Sequence, residues 1–425
     1  MKTGSRAQPS RTFMSQTCKK RLSGLILPNV MTSTNDLSAF LIQTHSLAPY
    51  GLRRLSTLSP PCRRRSGDDF PKSNFSAAYT SSSSTEHRHI RSEEKAWAHW
   101  RKLKQPKLIV APMYDASELP FRMLCRKYGA EAAYTPMLHS RIFAESKKYR
   151  SKEFTTCKED RPLFVQFCGN DPEILLEAAY QVESYCDYVD INLGCPQRIA
   201  RTGNYGAFLM DNLPLIKSLV TKLATNLTTP VSCKIRLFPS LHDTINYVKL
   251  LEDSGCSLIA VHGRTRDERT KERANWDAIK SVKSSVKIPV LANGNIRHMD
   301  DVEKCLELTG ADGVMSAEAL LDNPALFGGF RSGDWVAEGD DGFEDGGVDR
   351  GRLMVEYLKL CEKYPVKMGI IVSHVYGMLG KWFDEHPDVR DDFNKEKELS
   401  FEYIYRMVDR LRARGVQFPL YVKKI

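Results

Sequence analysis

The chain has 425 residues, 42% of them hydrophobic, enough for a large core, yet no apolar run approaches the ~20 residues that span a bilayer. Its formal charge of +10 is concentrated: residues 1–67 hold eleven Lys and Arg against the single acid Asp36, which leaves the other 358 residues balanced at 51 basic and 51 acidic side chains. Membrane contact is therefore not expected, a global field for nucleic acid is excluded, and any such contact must be a local patch.

Residues 1–92 read as a disordered extension, rich in Ser, Thr and Arg and poor in acids, a composition that fits a transit peptide for a plastid or mitochondrion, the alternative being a plain disordered tail on a protein of the cytoplasm or nucleus. Glu93 to Lys104 predicts a short helix leading into the body. Eight short apolar runs then alternate with helical stretches: Leu108–Ala111, Glu131–Tyr134, Leu163–Phe167, Tyr188–Asn192, Val231–Ile235, Leu258–Val261, Pro289–Ala292 and Gly313–Met315. The intervening helices include Pro172–Tyr185, Thr244–Ser254, Trp276–Ser285 and His298–Thr309, the first opened by an Asn170-Asp171-Pro172 cap. Strand–helix alternation of this length predicts an α/β fold, a closed (β/α)8 TIM barrel over residues 93–330. No GxGxxG turn follows the first strand, which argues against an open dinucleotide-binding sheet.

The chain is organised around Tyr188–Asn212, YVDINLGCPQRIARTGNYGAFLMDN. An apolar strand interrupted by Asp190 and Asn192 runs into Gly194, Cys195 and Pro196, where one residue frees the backbone and the next fixes it. A thiol held there has a defined direction. A basic, glycine-punctuated loop follows, with Arg198, Arg201, Tyr205 and Gly206, open to an anionic substrate. Taken alone, Cys195 also reads as a small buried hydrophobe, the usual fate of a free cysteine. The eleven cysteines form no CxxC pair, so neither a zinc site nor a disulfide framework is expected, and no metal is assigned.

Polar residues recur at the strand ends: Pro112 and Met113 after the first, Gln166 in the third, Lys234 and Arg236 in the fifth, His262 and Arg264 after the sixth, Asn293, Gly294 and Asn295 after the seventh. Singly each has a packing explanation. Together they converge on the C-terminal mouth of a barrel, where such folds carry their chemistry. Lys234 inside VSCKIRL is costly to bury without an anion, and a reduced flavin would supply one. Gln166 and Asn293 suit the edge of a pyrimidine-like ring, and the loops after strands seven and eight suit a phosphate.

The motifs APMYDASELPFR, LFVQFCGNDP, DINLGCPQ, GNYGAFLM, SCKIRLF, VHGRTR and LANGN resemble, in order, those of the flavin-dependent tRNA dihydrouridine synthases. SELPFR and SAEALLDNPALF look most like the eukaryotic branch acting on tRNA positions 16 and 17. The resemblance implies bound FMN, NADPH or NADH as reductant, and tRNA as partner. It further implies Cys195 as proton donor, with Asn192, Arg201, Tyr205, Arg264 and Arg266 on the substrate. Pro112, Met113, Tyr114, Gln166, Lys234, His262, Asn293, Gly294, Asn295, Ala317 and Glu318 would hold the flavin. Many members carry Gly-Arg where this chain has Ala317-Glu318, so a glutamate replaces a phosphate-binding cation. The alternative is a flavin barrel reducing a small pyrimidine or enone.

Residues 331–348 read as an acidic, glycine-rich linker, and 349–425 as a small helical tRNA-binding domain. Lys367, His374, Lys381 and Trp382 are its candidate contacts, with Arg406, Arg410, Arg412 and Arg414 as a second basic stripe. No protein partner is indicated and a monomer is expected.

Overall fold

The computed structural model describes residues 81–268, 272–336, 339 and 342–423. Most of the expected N-terminal extension, residues 1–80, lies outside the described residues. Ser76 to Ile425 form one compact unit.

The eight predicted strands are all present: β1 Leu108–Val110, β2 Ala132–Tyr134, β3 Leu163–Cys168, β4 Tyr188–Leu193, β5 Val231–Leu237, β6 Leu258–Thr265, β7 Val290–Asn293 and β8 Gly313–Ser316. Each pairs in parallel with the next, and β8 pairs with β1, so the sheet closes on itself. The helices are α1 Ser81–Lys102, α2 Leu119–Lys127, α3 Ser140–Glu145, α4 Lys147–Glu153, α5 Pro172–Tyr180, α6 Arg198–Thr202, α7 Leu213–Asn226 and α8 Leu241–Asp253. They continue with α9 Trp276–Ser285, α10 Met299–Thr309, α11 Glu318–Asp322, α12 Arg350–Lys363, α13 Met368–Glu385, α14 Pro387–Lys395 and α15 Phe401–Ala413. The expected cap of α5 is there: the Asp171 carboxylate accepts from the N–H groups of Glu173 and Ile174 at 3.1 and 3.2 Å, satisfying donors that the first turn leaves free.

Alternate strand residues face opposite sides. One set packs under the helices, including Val189, Ile191, Cys233, Ile235, Ile259 and Val261. The other fills the barrel: Ile109, Tyr134, Phe164, Tyr188, Leu258, Leu291 and Met315, joined by Trp100 of α1. Phe164 stacks between Tyr134 and Tyr188, with ring centroids 4.4 and 4.6 Å apart. The helix expected from Glu93 begins twelve residues earlier, at Ser81, and covers the N-terminal ends of the strands. His99 bonds the Asp187 carbonyl at 2.9 Å and Trp97 donates to the Lys287 carbonyl at 2.6 Å. An apolar floor thus leaves the opposite end for polar chemistry.

The stretch read as a linker holds two strands. β9 Phe330–Ser332 and β10 Phe343–Val348 both pair antiparallel with β11 Leu420–Lys423. The partner lies more than seventy residues away, beyond any local pattern. The C-terminal helices pack on the barrel. Arg350, fully buried, donates to the Asp322 carboxylate and to the Met378 carbonyl. His374 and Trp382, read as surface contacts, are only 1% exposed and belong to this packing. Lys381 pairs with Asp334 and Lys367 with Glu153. The arginine stripe is also engaged: Arg410 and Arg414 bind Asp388, Arg412 binds Asp349 and Arg406 binds Glu402. No described helix is long and apolar enough to cross a membrane, and the nine described cysteines are free.

Candidate active site at the barrel mouth

Cross-strand register gathers the polar residues. Gln166 lies opposite Asp190, Asn192 opposite Lys234, Arg236 opposite His262, and His262 opposite Asn293. These are the inward positions two or four residues beyond the aromatic floor, so the period of two that buries Tyr188 also aims Asp190 and Asn192 inward.

The turn carrying Cys195 is held from several sides. The Asn192 Oδ1 accepts from the N–H groups of Gly194 and Cys195 at 3.2 and 2.9 Å. The Cys195 carbonyl accepts from Ala207 N–H at 3.0 Å, and the Arg236 guanidinium donates to the Gly194 carbonyl at 3.0 Å. Gly206 makes the close approach possible. Its φ is +65°, and a Cβ there would lie 2.7 Å from the Cys195 carbonyl oxygen. The thiol itself is partly exposed. Burial pushes its pKa up against the pull of a hydrogen bond from Gln197 and of the Lys234 and Arg236 charges, so it is protonated at neutral pH.

Behind the turn lies a chain of buried hydrogen bonds. Asn192 Nδ2 donates to Gln166 Oε1 at 2.8 Å, Gln166 Nε2 donates to Asp190 at 2.8 Å, and Ser232 Oγ donates to the other Asp190 oxygen at 2.6 Å. Burial lifts the Asp190 carboxyl to about 7 against these hydrogen bonds and the Lys234 charge.

Lys234 has no carboxylate within ion-pair distance among the described residues. Burial, and then the neighbouring Arg236, lower its ammonium to about 8. His262 is lowered to about 2 by burial and by the charges of Lys234, Arg236 and Arg264, so its ring is neutral. Arg264 Nη1, which can only donate, meets His262 Nε2 at 3.0 Å, which places the ring proton on Nδ1. At the end of β7, Asn293 Nδ2 donates to the Met315 carbonyl at 2.8 Å. Asn295 Oδ1 accepts from Ala274 N–H at 2.5 Å and from Arg264 Nη2 at 3.2 Å. Gly294 has φ +117°, with an added Cβ 2.6 Å from Ala274. These features fit a flavin: a half-buried cation with no carboxylate at ion-pair distance among the described residues, amides suited to a ring edge, and a tight glycine turn beside an arginine.

The remaining expected residues are less uniformly placed. Pro112 and Met113 are partly buried after β1, while Tyr114 is 55% exposed and its phenol is pushed up to about 12 by burial and by Asp115. Arg201 is exposed on α6. Tyr205 is buried, edge-on to His139 at 5.6 Å, and packs beneath the loop. Arg264 is buried beside His262 and Asn295, and Arg266 pairs with Asp211 at 2.7 Å over the Phe208 ring. Glu318 is exposed in the first turn of α11. Asp190 and Ser232 were not among the expected site residues, although the alternation Asp190/Asn192 and Ser232/Lys234/Arg236 is visible in the sequence.

Fold and mouth together define a (β/α)8 barrel whose polar side chains gather at the carboxyl ends of its strands, where barrels of this class build their sites. Residues 109–343 match the family described as Dihydrouridine synthase (Dus), and the chain belongs to that family. It is 42% identical over 295 residues to a tRNA-dihydrouridine(16/17) synthase-like protein of Rattus norvegicus, covering 68% of this chain and 64% of that one. The tRNA-dihydrouridine(16/17) synthase of Schizosaccharomyces pombe is 49% identical over 234 residues, covering 54% and 59%. That of Saccharomyces cerevisiae is 42% identical over 301 residues, covering 68% and 69%. The chain thus spans roughly three fifths to two thirds of the length of these curated relatives.

Proposed function

We propose that the chain reduces the C5–C6 bond of uridine in tRNA, at positions 16 and 17, using FMN and NADPH or NADH. The observation that carries this is the pairing of Asn192 with Lys234 across β4 and β5: a protonated thiol sits on the rigid turn just after Asn192, and the half-buried lysine opposite has no carboxylate within ion-pair distance among the described residues. Lys234 would meet the anionic edge of the flavin ring, Gln166 and His262 its pyrimidine edge and side chain, and Gly294, Asn295 and Arg264 its phosphate. Arg264 supplies the cation that Ala317-Glu318 does not. When bound, a reduced flavin supplies the hydride that C6 of uridine takes. Cys195 gives its proton to C5, and the resulting thiolate is stabilised by the Lys234 and Arg236 charges before water reprotonates it. Asn192 keeps one N–H beyond its bond to Gln166, available to a uracil carbonyl. The relatives named tRNA-dihydrouridine(16/17) synthases support the substrate and the positions.

The test is a pair of anaerobic measurements on flavin-loaded protein. Cys195→Ala should still bleach with NADPH, while return of the flavin absorbance on adding tRNA should slow by ~10²–10⁴-fold, the worth of a positioned general acid. Dihydrouridine should appear at positions 16 and 17 of unmodified tRNA. Turnover of free uridine in place of tRNA, or equal slowing of both steps, would overturn the proposal.

A further inference from the structure

Asp190 takes no part in the reaction just described, yet it is fully buried behind the turn that carries Cys195. A carboxylate buried without an ion-pair partner is costly, and an apolar residue would pack the barrel more cheaply. Among the described residues no cation lies within ion-pair distance of it; its partners are the Ser232 hydroxyl at 2.6 Å and Gln166 Nε2 at 2.8 Å.

The hydrogen-bond chain explains what the carboxylate does. At one end, the backbone N–H groups of Gly194 and Cys195 can only donate, and they require Asn192 Oδ1 to face them. Asn192 Nδ2 then faces Gln166 Oε1 at 2.8 Å, which turns Gln166 Nε2 toward position 190. An acceptor is required there, and Asp190 supplies it in either protonation state, because a proton taken up by the carboxyl can sit on the oxygen that faces Ser232 and leave the other to accept from Gln166. Rotating Gln166 would set its Oε1 against Asp190 and its Nε2 against Asn192 Nδ2. Rotating Asn192 in turn would set its Nδ2 against two backbone donors. Both ends thus enforce one orientation of both amides.

We propose that Asp190 is a positioning residue: through Gln166 and Asn192 it fixes the Gly194-Cys195 turn and so the direction of the Cys195 thiol. This rests on Cys195 being the proton donor, but the geometry has a readout independent of the reaction. Alkylation of Cys195 by iodoacetamide, followed by mass spectrometry on the full-length flavin-loaded protein, reports the accessibility and aim of the thiol.

Asp190→Leu should change the Cys195 alkylation rate at least ~5-fold and slow the tRNA-dependent step by ~10–100-fold, the scale of a misplaced catalytic group. Reduction by NADPH should stay within about threefold, because no proton from Cys195 enters it. Asp190→Asn should retain most activity, since its Oδ1 still accepts from Gln166 while Ser232 turns to accept from its Nδ2. In a Cys195→Ala background, Asp190→Leu should slow the tRNA step by no more than about threefold further, because the thiol it aims is gone. If Asp190→Leu does not accumulate folded, Gln166→Glu is combined with Asp190→Asn. The single change opposes two carboxylates, the double change completes the chain again, and the double should recover the wild-type alkylation rate. An unchanged alkylation rate in Asp190→Leu, equal slowing of both steps, or no recovery in the double variant would each overturn the assignment. Wild-type flavin that tRNA never reoxidises would instead count against the proposed reaction, with the alkylation result still deciding the relay.

Discussion

Glu118 is the point where the barrel and the C-terminal helices hold each other, and its removal has a calculable cost. Its carboxylate, 7% exposed, accepts from the Tyr357 hydroxyl at 2.7 Å and meets His374 Nε2 at 3.1 Å, with the imidazole stacked on Phe121 at 4.5 Å. Burial alone would raise the acid, but the His374 charge and the hydrogen bonds from His374 and Tyr357 outweigh it and hold the carboxyl below its ordinary range. Glu118→Ala leaves both donors buried without an acceptor, a loss of about 3–5 kcal/mol for a broken buried pair. The compact unit from Ser76 to Ile425 has an unfolding entropy of about 0.7 kcal/mol/K at about 2.1 cal/mol/K per residue, so the midpoint should fall about 4–7 °C. Glu118→Gln keeps an acceptor for Tyr357 and should lose about 1–3 kcal/mol. Because the folded carboxyl is depressed, its stabilisation is present above the unfolded value of 4.5 and lost as pH falls through the folded one. The gap between wild type and Glu118→Gln should therefore narrow below about pH 4.5. Calorimetry of the flavin-loaded chain measures all of this. A shift under about 1 °C for Glu118→Ala, or a full additional loss when His374→Ala is added to it, would refute the coupling.

Two further outcomes follow from the mouth. Gly206→Ala puts a left-handed backbone cost of about 1–2 kcal/mol on a loop whose new Cβ would also press on the Cys195 carbonyl, so the tRNA-dependent step should slow more than flavin reduction; equal rates in both steps would refute it. Lys234 is lowered to about 8, so FMN affinity should weaken by up to about tenfold per unit as pH rises above 8, and Lys234→Met should bind weakly with a flat profile between pH 7 and 9.5. A wild-type affinity independent of pH, measured by fluorescence titration, would remove the charged lysine from the site.

The barrel was legible because its signal is local and repeated. Each strand is a short run of β-formers bounded by a cap or turn, and all eight predicted runs coincide with observed strands to within a few residues. The mouth was legible for the same reason, since inward positions two apart carry the polar side chains. Partners were not legible. Gln166, Asn192 and Cys195 could be named from the sequence, but the bond from Gln166 to Asp190 joins residues on adjacent strands, and only the register reveals it. The sheet of β9, β10 and β11 was missed because FEDGGV is acidic and glycine-rich, a sequence that becomes a strand only against Leu420–Lys423. In α13, His374 and Trp382 looked like surface contacts because a helix rich in both apolar and small residues does not declare which face is covered. The arginines of α15 read as a free basic stripe until α14 brought Asp388 and Asp392 beside them.

The charge of the mouth connects these observations to binding. A body with equal numbers of acids and bases still gathers Lys234, Arg236 and Arg264 around His262, and burial lowers the proton affinity of all four. Asp190 is a buried carboxylate in the same row, and its hydrogen bonds go to Gln166 and Ser232. Within the row Arg236 disfavours the charge of Lys234 and Arg264 that of Arg236, while Glu318, Glu268 and Glu272 offset part of the charge of Arg264. An anion placed among them removes that repulsion, and the phosphate and reduced ring of a flavin would do so at two points of the same row. On the proposed reaction, the same local field, set in a neutral body, would confine attraction for a polyanionic substrate to the rim where Cys195 opens.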